Sequence, residues 1–470
     1  RATKIFHNAM YDVCWIRAMG IKINGKIIDT MIAASLVDEN RWGFTLDGVA
    51  KQYVGSGKNE KMLVEAAKAW GIDPKAEMWR LPAPFVGTYA EKDAEVTLKL
   101  WHAMEHEIEK QELHDVFNLE TDLFPCLVDM RFKGVRVDLD KAQDTRKKLE
   151  QTELRLTTEI SKLAGMDVEI WSAHSIQRAF EKLNIPYDRT EKGQPSFTKN
   201  FLATHPHELP RAIVNKREIN KTNTTFIETI LRHSHKGRIH ADINQIRSDD
   251  GGTVTGRFSY SNPNLQQIIP EEGCKWGCFD YSQQEPRILV HYANLLQMPG
   301  ADAIKEKYDA GEADFHQMIA DMAGIDRKQA KTINLGLMAE DSGKIRTIGG
   351  RLCHFDMWEP HGYGIKRPLK HADALREHGP GIKRAFTYKA LNKLIQGSAA
   401  DMTKRAMVNL YKQGFIPHIQ IHDELDFSVP DTPGCRIDIE LITEIMEDAV
   451  QLEVPNKIDY EEGSNWGDIK

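Results

Sequence analysis

The spacing of apolar and polar positions changes several times along the chain. Up to about residue 115, short apolar runs that read as strands alternate with helical stretches, and a long helical pattern from Thr88 to Leu113 closes the region. The opening residues, Arg1-Ala2-Thr3-Lys4, run straight into a strand-like segment, as the middle of a domain does. Residues 118–235 read as mostly helical and very polar. The stretch Asp138 to Ala164 has so few apolar positions that it predicts a helix projecting from the body rather than filling a core. Strand character returns over Arg238 to Asn244 and Lys275 to Asp280. Helices are expected again from Gln284 to Gly336 and over Ile382 to Gln413. Ile416 to Val429 then reads as two short strands around a tight turn. No repeat or low-complexity tract interrupts this order.

At 470 residues the chain exceeds one ordinary core, so two or more domains are expected. Hydrophobic residues at 41% and charged residues at 28% are an ordinary globular mixture. Six scattered cysteines fit a reduced, intracellular protein without a disulfide framework. Cys274 and Cys278 form a C-x-x-x-C with no second pair, unlike a structural zinc site. There is no run long enough for a membrane span and no signal peptide, so a cytoplasmic protein without a membrane partner is expected. The net charge of −7, from 62 basic and 69 acidic residues, argues against a protein that coats nucleic acid. It leaves room for a DNA enzyme with one basic cleft and carboxylates that hold metals. The row Arg211, Lys216, Arg217, Lys221, Lys236, Arg238, Arg247 and Arg257 is either such a cleft or a solvated face.

Asp280 ends the strand Trp276-Gly277-Cys278-Phe279, and Asp423-Glu424 sits at the apex of an apolar hairpin. Each place presents an acid at the rim of a sheet, where a metal can bridge two strands. Taken singly, each is an ordinary turn or capping position. Their neighbours change the reading. Asp280-Tyr281-Ser282-Gln283-Gln284-Glu285-Pro286-Arg287 resembles the first catalytic motif of A-family DNA polymerases, and His422-Asp423-Glu424 resembles their third. Arg327 through Gly336 is similar to their fingers helix. Thr255-Gly256-Arg257-Phe258 with Asn262-Pro263-Asn264-Leu265-Gln266 resembles their palm signature. Gln396 through Asp401 is similar to the helix before the hairpin, and Asn465-Trp466 to the family's C-terminal end. All occur in family order.

The resemblance implies an α/β multidomain fold: an RNase H-like 3′–5′ exonuclease domain, then a right-hand polymerase with an antiparallel-sheet palm and helical thumb and fingers. The implied divisions are exonuclease 1–115, thumb and connecting helices 116–237, palm 238–285, fingers 286–388 and palm again 389–470. It implies template-directed DNA synthesis, with primer–template DNA and deoxynucleoside triphosphates as partners. Asp280 and Asp423 would hold two Mg2+ ions, for which Mn2+ can substitute. Glu424 either assists them or is a solvated turn residue. Arg327 and Lys331, one turn apart, would meet the triphosphate together with His316, with Leu335 one turn further towards base and sugar and Gln283 a further nucleotide-binding residue. Glu285 would crowd the 2′ position of the incoming sugar or serve in an ion pair. Arg257, Asn264, Gln266, Asn392, Gln396 and His422 would face the primer–template duplex, where minor-groove acceptors let fixed donors check pair shape without reading sequence. A monomer is expected, in the host cytoplasm if phage-encoded. A processivity partner is not visible in the sequence.

Asn8-Ala9-Met10-Tyr11-Asp12 and Tyr89 through Thr97 resemble two motifs of the family's proofreading exonuclease. Asn8, Asp12, Tyr89 and Asp93 are its implied residues, with Asp12 and Asp93 as metal ligands and Tyr89 orienting the attacking water. The family carries a further Asp-x-Glu pair upstream of Arg1. Without it the exonuclease is expected to be inactive as written. No 5′ nuclease is visible.

Two junctions depart from the family pattern. Ile269-Pro270-Glu271 follows Gln266-Gln267-Ile268 at once, and Ala339-Glu340-Asp341 follows Leu337-Met338 where further fingers residues belong. Residues absent near 268/269 and 338/339 are the expectation. Leu335 replaces the more familiar aromatic, and Tyr388 stands where bacterial relatives often carry Arg. Phe386 through Asn392 looks more phage-like than bacterial. A single-subunit RNA polymerase and a non-catalytic DNA-binding protein are the competing readings. Glu285 and the exonuclease motifs oppose the first; Asp280, Asp423, Arg327 and Lys331 oppose the second.

Overall fold

The first apolar runs form two short parallel strands, β1 (Lys4–Phe6) and β2 (Ile27–Asp29), joined through α1 (Ala9–Ala18). The Asp29 carboxylate caps α2 (Thr30–Val37) by accepting from Met31 N at 2.8 Å. The helices α3 (Leu46–Tyr53), α4 (Lys61–Trp70) and α5 (Ala83–Lys110) follow, then α6 (His114–Lys133). Val96, Leu100, Met104 and Ile108 recur at helical spacing on α5 and bury against α2 and α3. The same core takes in Ile246 and Leu352, from much later in the chain.

These elements belong to the first of two compact units, Arg1–Lys133, Ile243–Ser259 and Glu272–Gly463; the second is Gly134–Asp242, Tyr260–Glu271 and Ser464–Lys470. The computed structural model describes residues 2–58, 60–249, 251–261, 270–311, 343–361, 367–432 and 434–469. Asn264, Gln266, His316, Arg327, Lys331, Leu335 and the 268/269 and 338/339 junctions lie outside the described residues.

In the second unit, β3 (Val135–Arg136) leads into α7 (Leu139–Ala164), whose Asp138 cap accepts from Lys141 N at 2.9 Å. Then come α8 (Ala173–Lys182), α9 (Glu208–Lys221) and the strands β4 (Ser234–His235) and β5 (Arg238–Ile239). The antiparallel order is β3-β5-β4. The expectation of a projecting helix over 138–164 needs correction. Its few apolar residues are placed at the right spacing: Ile160 and Ala164 join the core made by Ile176, Phe180 and Ile213, and α7 packs along α9. The strand expected over 238–244 forms as two, Arg238–Ile239 and Asp242–Asn244, the latter paired with Ser259–Ser261.

The first unit resumes with β6 (Cys274–Tyr281), α10 (Gln284–Leu295) and α11 (Ala301–Asp309). The hairpin of β7 (Lys344–Arg346) and β8 (Leu352–His354) and the pair β9 (Met357–Pro360) and β10 (Ile382–Arg384) precede α12 (Ala390–Lys412). The helix expected from Ile382 therefore starts eight residues later. Ile382–Arg384 pairs with β9, and Phe386 takes a left-handed φ of 62°, which no helix accommodates. The chain ends with β11 (Ile419–Ile421), β12 (Glu424–Pro430), α13 (Cys435–Glu447) and β13 (Ile458–Gly463). Strands β11, β12, β6 and β13, in that order, make a four-stranded antiparallel sheet. Tyr281 reaches from it to α13, its hydroxyl donating to Met446 O at 2.6 Å.

A buried ionic cluster joins α6, the β7–β8 hairpin and α12. Arg351 donates through Nη2 to Glu120 at 2.5 Å and to Asp401 at 2.7 Å. Lys404 Nζ donates to Glu120 Oε1 at 2.7 Å and to the Gln245 carbonyl at 2.8 Å, and Gln245 Nε2 returns to Glu120 Oε2 at 2.6 Å. Burial alone would raise the Glu120 carboxyl pKa, but Lys404 and Arg351 reverse this and hold it below the usual carboxylate range. A carboxyl pKa lowered on folding stabilises the fold above its unfolded value of about 4.3, and the gain is lost as pH falls through the lowered folded value. Replacing Glu120 strands two buried cations, so Glu120→Gln should cost about 3–5 kcal/mol in urea unfolding at pH 7. The deficit should shrink in acid. A deficit that is small at pH 7, or that grows as pH falls below about 4, would contradict this assignment.

Candidate active sites

The antiparallel register sets the first site. β6 and β12 pair without a break from Cys274↔Pro430 to Asp280↔Glu424, and Asp280 faces Asp459 across β13. Ile421 pairs with Glu424, so His422 and Asp423 form a two-residue hairpin turn. His422 takes φ 55°, the left-handed conformation that such a turn needs, and the Gln420 amide braces its carbonyl. Tyr281 N donates to Asp423 O at 3.4 Å, tying the turn to the residue after Asp280. The two acids expected at strand ends are thus neighbours at one rim of one sheet.

Asp423 is part-buried. Burial pushes its carboxyl pKa up, His422 and Arg257 oppose the rise, and Glu285 adds to it. A carboxylate raised by desolvation, beside further acids, gains most from a bound cation. Its oxygen donors, with those of Asp280, suit a hard divalent ion such as Mg2+. Glu424 is only 6% exposed and is no solvated turn residue. It shares a buried row with Cys278 and Asp426, whose ligand atoms and its own lie within 4.8 Å of one another. Cys278 and Asp426 are themselves register partners. Burial first, and these two carboxylates after it, push the Cys278 thiol far up, so it stays protonated.

The strand-to-helix junction after Asp280 is pinned from several sides. Gln283 adopts φ 56° and its amide oxygen accepts from Tyr308 at 2.9 Å. Ser282 N donates to Lys457 O at 2.8 Å, and Arg287 Nε donates to Ser282 O at 2.7 Å. Glu285, in the first turn of α10, forms an ion pair with Arg257. Thr253 Oγ1 donates to Arg257 O at 3.0 Å. Asn392 and Gln396 are one turn apart on α12; Asn392 is exposed and Gln396 part-buried. The segment carrying Arg257 packs against α12 beside Gln396, with Thr255 O 3.5 Å from where a Cβ on Gly397 would lie. Arg257, Glu285, Asp280, Asp423 and Gln396 therefore belong to one unit and one region. Arg247, from the basic row, donates to Glu39 O at 3.0 Å instead of facing solvent.

A second constellation lies near the start of the chain. Asn8, at φ 65°, begins α1, and its N–H and that of Ala9 donate to Asp29 at 3.0 and 2.7 Å. Burial raises the Asp29 carboxyl pKa, against His7 and these N–H groups. Burial, and then Asp29, also raise Asp12. Tyr89 and Asp93 share one face of α5. Lys58, which the sequence did not single out, donates to the Tyr89 hydroxyl and to Asp93 Oδ2, each at 2.9 Å. Asp93 Oδ1 is buried with no hydrogen-bond partner among the described residues.

Comparison with known proteins adds the family. The model of DNA polymerase family A matches residues 139–341 and 338–468, and the 3′–5′ exonuclease model matches residues 1–109. The two polymerase stretches meet at the junction where the sequence departs from the family pattern. A DNA-directed DNA polymerase of Pseudomonas phage M6 is 33% identical over 98% of this chain and 82% of its own length. That alignment runs over 550 residues, more than the 470 present here, so the relative carries residues without a counterpart. DNA polymerase DpoZ of Acinetobacter phage SH-Ab 15497 is 29% identical over 99% of the chain and 88% of its own length. DNA polymerase I of Geobacillus stearothermophilus is also 29% identical, over 96% of this chain but only 56% of its own. The fold is similar to the POL domain of Pol1 from M. smegmatis, solved with DNA primer-template and dNTP, at a TM-score of 0.74 and 22% identity, over 99% of this chain and 86% of that one. With the exonuclease and polymerase models together spanning nearly all of it, the chain belongs to DNA polymerase family A and is a DNA-directed DNA polymerase with a 3′–5′ exonuclease domain.

Proposed function

We propose that the chain extends a primer 3′-hydroxyl along a DNA template at the Asp280–Asp423 rim, with two divalent ions held between these carboxylates. The observation that carries this reading is the β6–β12 register, which makes neighbours of two acids 143 positions apart in the chain. Bound there, Mg2+ would acidify the primer hydroxyl and offset charge on the leaving pyrophosphate. The chain's own residues do the rest. Asp280, near the end of β6, and Asp423, in the adjoining turn, would hold the ions, and Glu424 supports the turn from its buried row. Arg257 and Gln396, with Asn392, Asn264, Gln266 and His422, meet the duplex; its minor groove offers them acceptors at every base pair. Arg327, Lys331 and His316 meet the triphosphate, Leu335 packs on the nucleotide, and Gln283 and Glu285 line the sugar side.

In the exonuclease domain, Asp12 and Asp93 would hold metal, Tyr89 would orient the attacking water, and Asn8 sets the start of α1. Phage DNA replication in the host cytoplasm suits the phage relatives. Among the described residues, no helix is long and apolar enough to cross a membrane.

Primer extension with Mg2+ and deoxynucleotides tests the reading. Losing a metal-bridging carboxylate removes several kcal/mol of transition-state stabilisation, so Asp280→Ala and Asp423→Ala should each slow extension on the order of a thousandfold. Extension that survives either change contradicts the two-metal assignment. Glu285→Ala should raise the ratio of ribonucleotide to deoxynucleotide incorporation about ten- to a hundredfold, the span of a small steric gate. An unchanged ratio would leave Glu285 with its ion pair alone. Equal use of both sugars by the unmutated enzyme would favour an RNA polymerase.

A further inference from the structure

Arg351 does more than neutralise buried acids. Its guanidinium is held edge-on by Asp401, through Nε at 3.1 Å and Nη2 at 2.7 Å, and by Glu120. With both partners buried and α6 and α12 fixed around them, the plane has no room to turn. The backbone of Gly256 lies on it. A Cβ built at Gly256 would come within 2.6 Å of Arg351 Cζ and 2.7 Å of Nε, closer than any side chain tolerates, and Gly256 has φ 81°. On α12, one turn before Asp401, a Cβ at Gly397 would lie in ordinary contact with Thr255 O at 3.5 Å, so the segment also rests against this helix. Two residues on, the Phe258 ring has Lys404 Nζ 5.0 Å from its centroid. The stretch 255–258 is therefore seated on the two buried cations, and Arg257 leaves it on the side of Glu285 and Asp423. Arg351 Nη1, beside Gly256, is buried with no hydrogen-bond partner among the described residues.

We propose that Arg351 is a positioning residue for synthesis: its guanidinium plane sets where Gly256 sits, and so where Arg257 meets Glu285 and the primer end. This rests on the reading of Arg257 as a duplex contact. Arg351 touches neither substrate nor metal. It acts through one glycine, which must lack a side chain for the backbone to come this close.

Single-nucleotide incorporation by Gly256→Ala, Arg257→Ala, Arg351→Lys and the two combinations with Arg257→Ala tests it, on matched and mismatched primer ends, with thermal unfolding measured alongside. Displacing Arg257 by a fraction of an ångström to an ångström should slow incorporation on matched ends by roughly ten- to a hundredfold. The proposal expects Gly256→Ala to do this with nucleotide KM little changed and by more than its lowered melting temperature accounts for, and to narrow the gap between matched and mismatched ends. It also expects no further loss when Gly256→Ala or Arg351→Lys is added to Arg257→Ala, because the two steps lie on one path. If Gly256→Ala does not fold, the Arg351→Lys comparison, which keeps the charge and loses the plane, decides in the same way. Effects that multiply independently, or a rate loss that follows only the melting temperature, overturn the inference. If Arg257→Ala itself extends at the normal rate, the reading of Arg257 falls and takes the inference with it. If Arg257→Ala is slow while Gly256→Ala and Arg351→Lys are normal, only the inference falls.

Discussion

Seven consecutive antiparallel pairs between β6 and β12 are the constraint on which the rest of the polymerase site depends. Side chains alternate between the faces of a sheet, so a slip of one residue would send Asp280 and Glu424 to opposite faces and part the buried Phe279 from Leu425, its neighbour on one face. The apolar residues of the two strands therefore enforce the placement of the acids. The hairpin turn adds the last element. Its left-handed His422 lets the chain reverse in two residues, which leaves Asp423 beside the end of β6 instead of several ångströms along a wider loop.

The buried cluster of Glu120, Arg351, Asp401 and Lys404 has a different task. Ion pairs of this kind seldom stabilise more than apolar residues of similar volume would, because four charges must give up water. What they supply is direction. Guanidinium and carboxylate meet in few geometries, so the cluster sets the relative placement of α6, the β7–β8 hairpin, α12 and the segment 245–258. That segment is further tied to the start of the chain. Asp249 accepts from Phe44 N at 2.7 Å, and the Phe44 carbonyl meets His7 Nε2 at 2.7 Å. Two hydrogen bonds, both through the Phe44 backbone, thus link His7, in the exonuclease region, to Asp249, eight residues before Arg257.

The strand end and the hairpin that place Asp280 and Asp423 could be read in the sequence because they depend on local rules, whereas joining them into one site took the family resemblance. An acid at the end of an apolar strand, an acid at a hairpin apex, and Tyr89 and Asp93 four apart on a helix are all visible as spacing. The helix over 138–164 and the long helix that closes the first region are legible for the same reason. The misses depend on partners distant in the chain. Ile382–Arg384 is a strand only because β9 lies beside it. Ile160 and Ala164 are core residues only because α8 and α9 cover them. Lys58 stands between α3 and α4, in a stretch with no motif of its own, and meets Tyr89 and Asp93 31 and 35 positions later. The one available hint of the ionic cluster is Glu120, a charge on the apolar face formed by Val116, Phe117, Leu123 and Leu127 of α6, where an unpaired acid would be prohibitive.

The account's central claim is that Asp280 and Asp423 form one metal-binding rim, and binding of Mn2+ followed by its electron paramagnetic resonance tests it most directly. The titration is made with primer–template and a non-hydrolysable deoxynucleotide, in an Asp12→Ala, Asp93→Ala background that removes the exonuclease ligands. The account predicts two bound Mn2+ ions per chain, with weakened binding after Asp280→Asn or Asp423→Asn and almost none after both. Stoichiometry and affinity unchanged by the double substitution would contradict it.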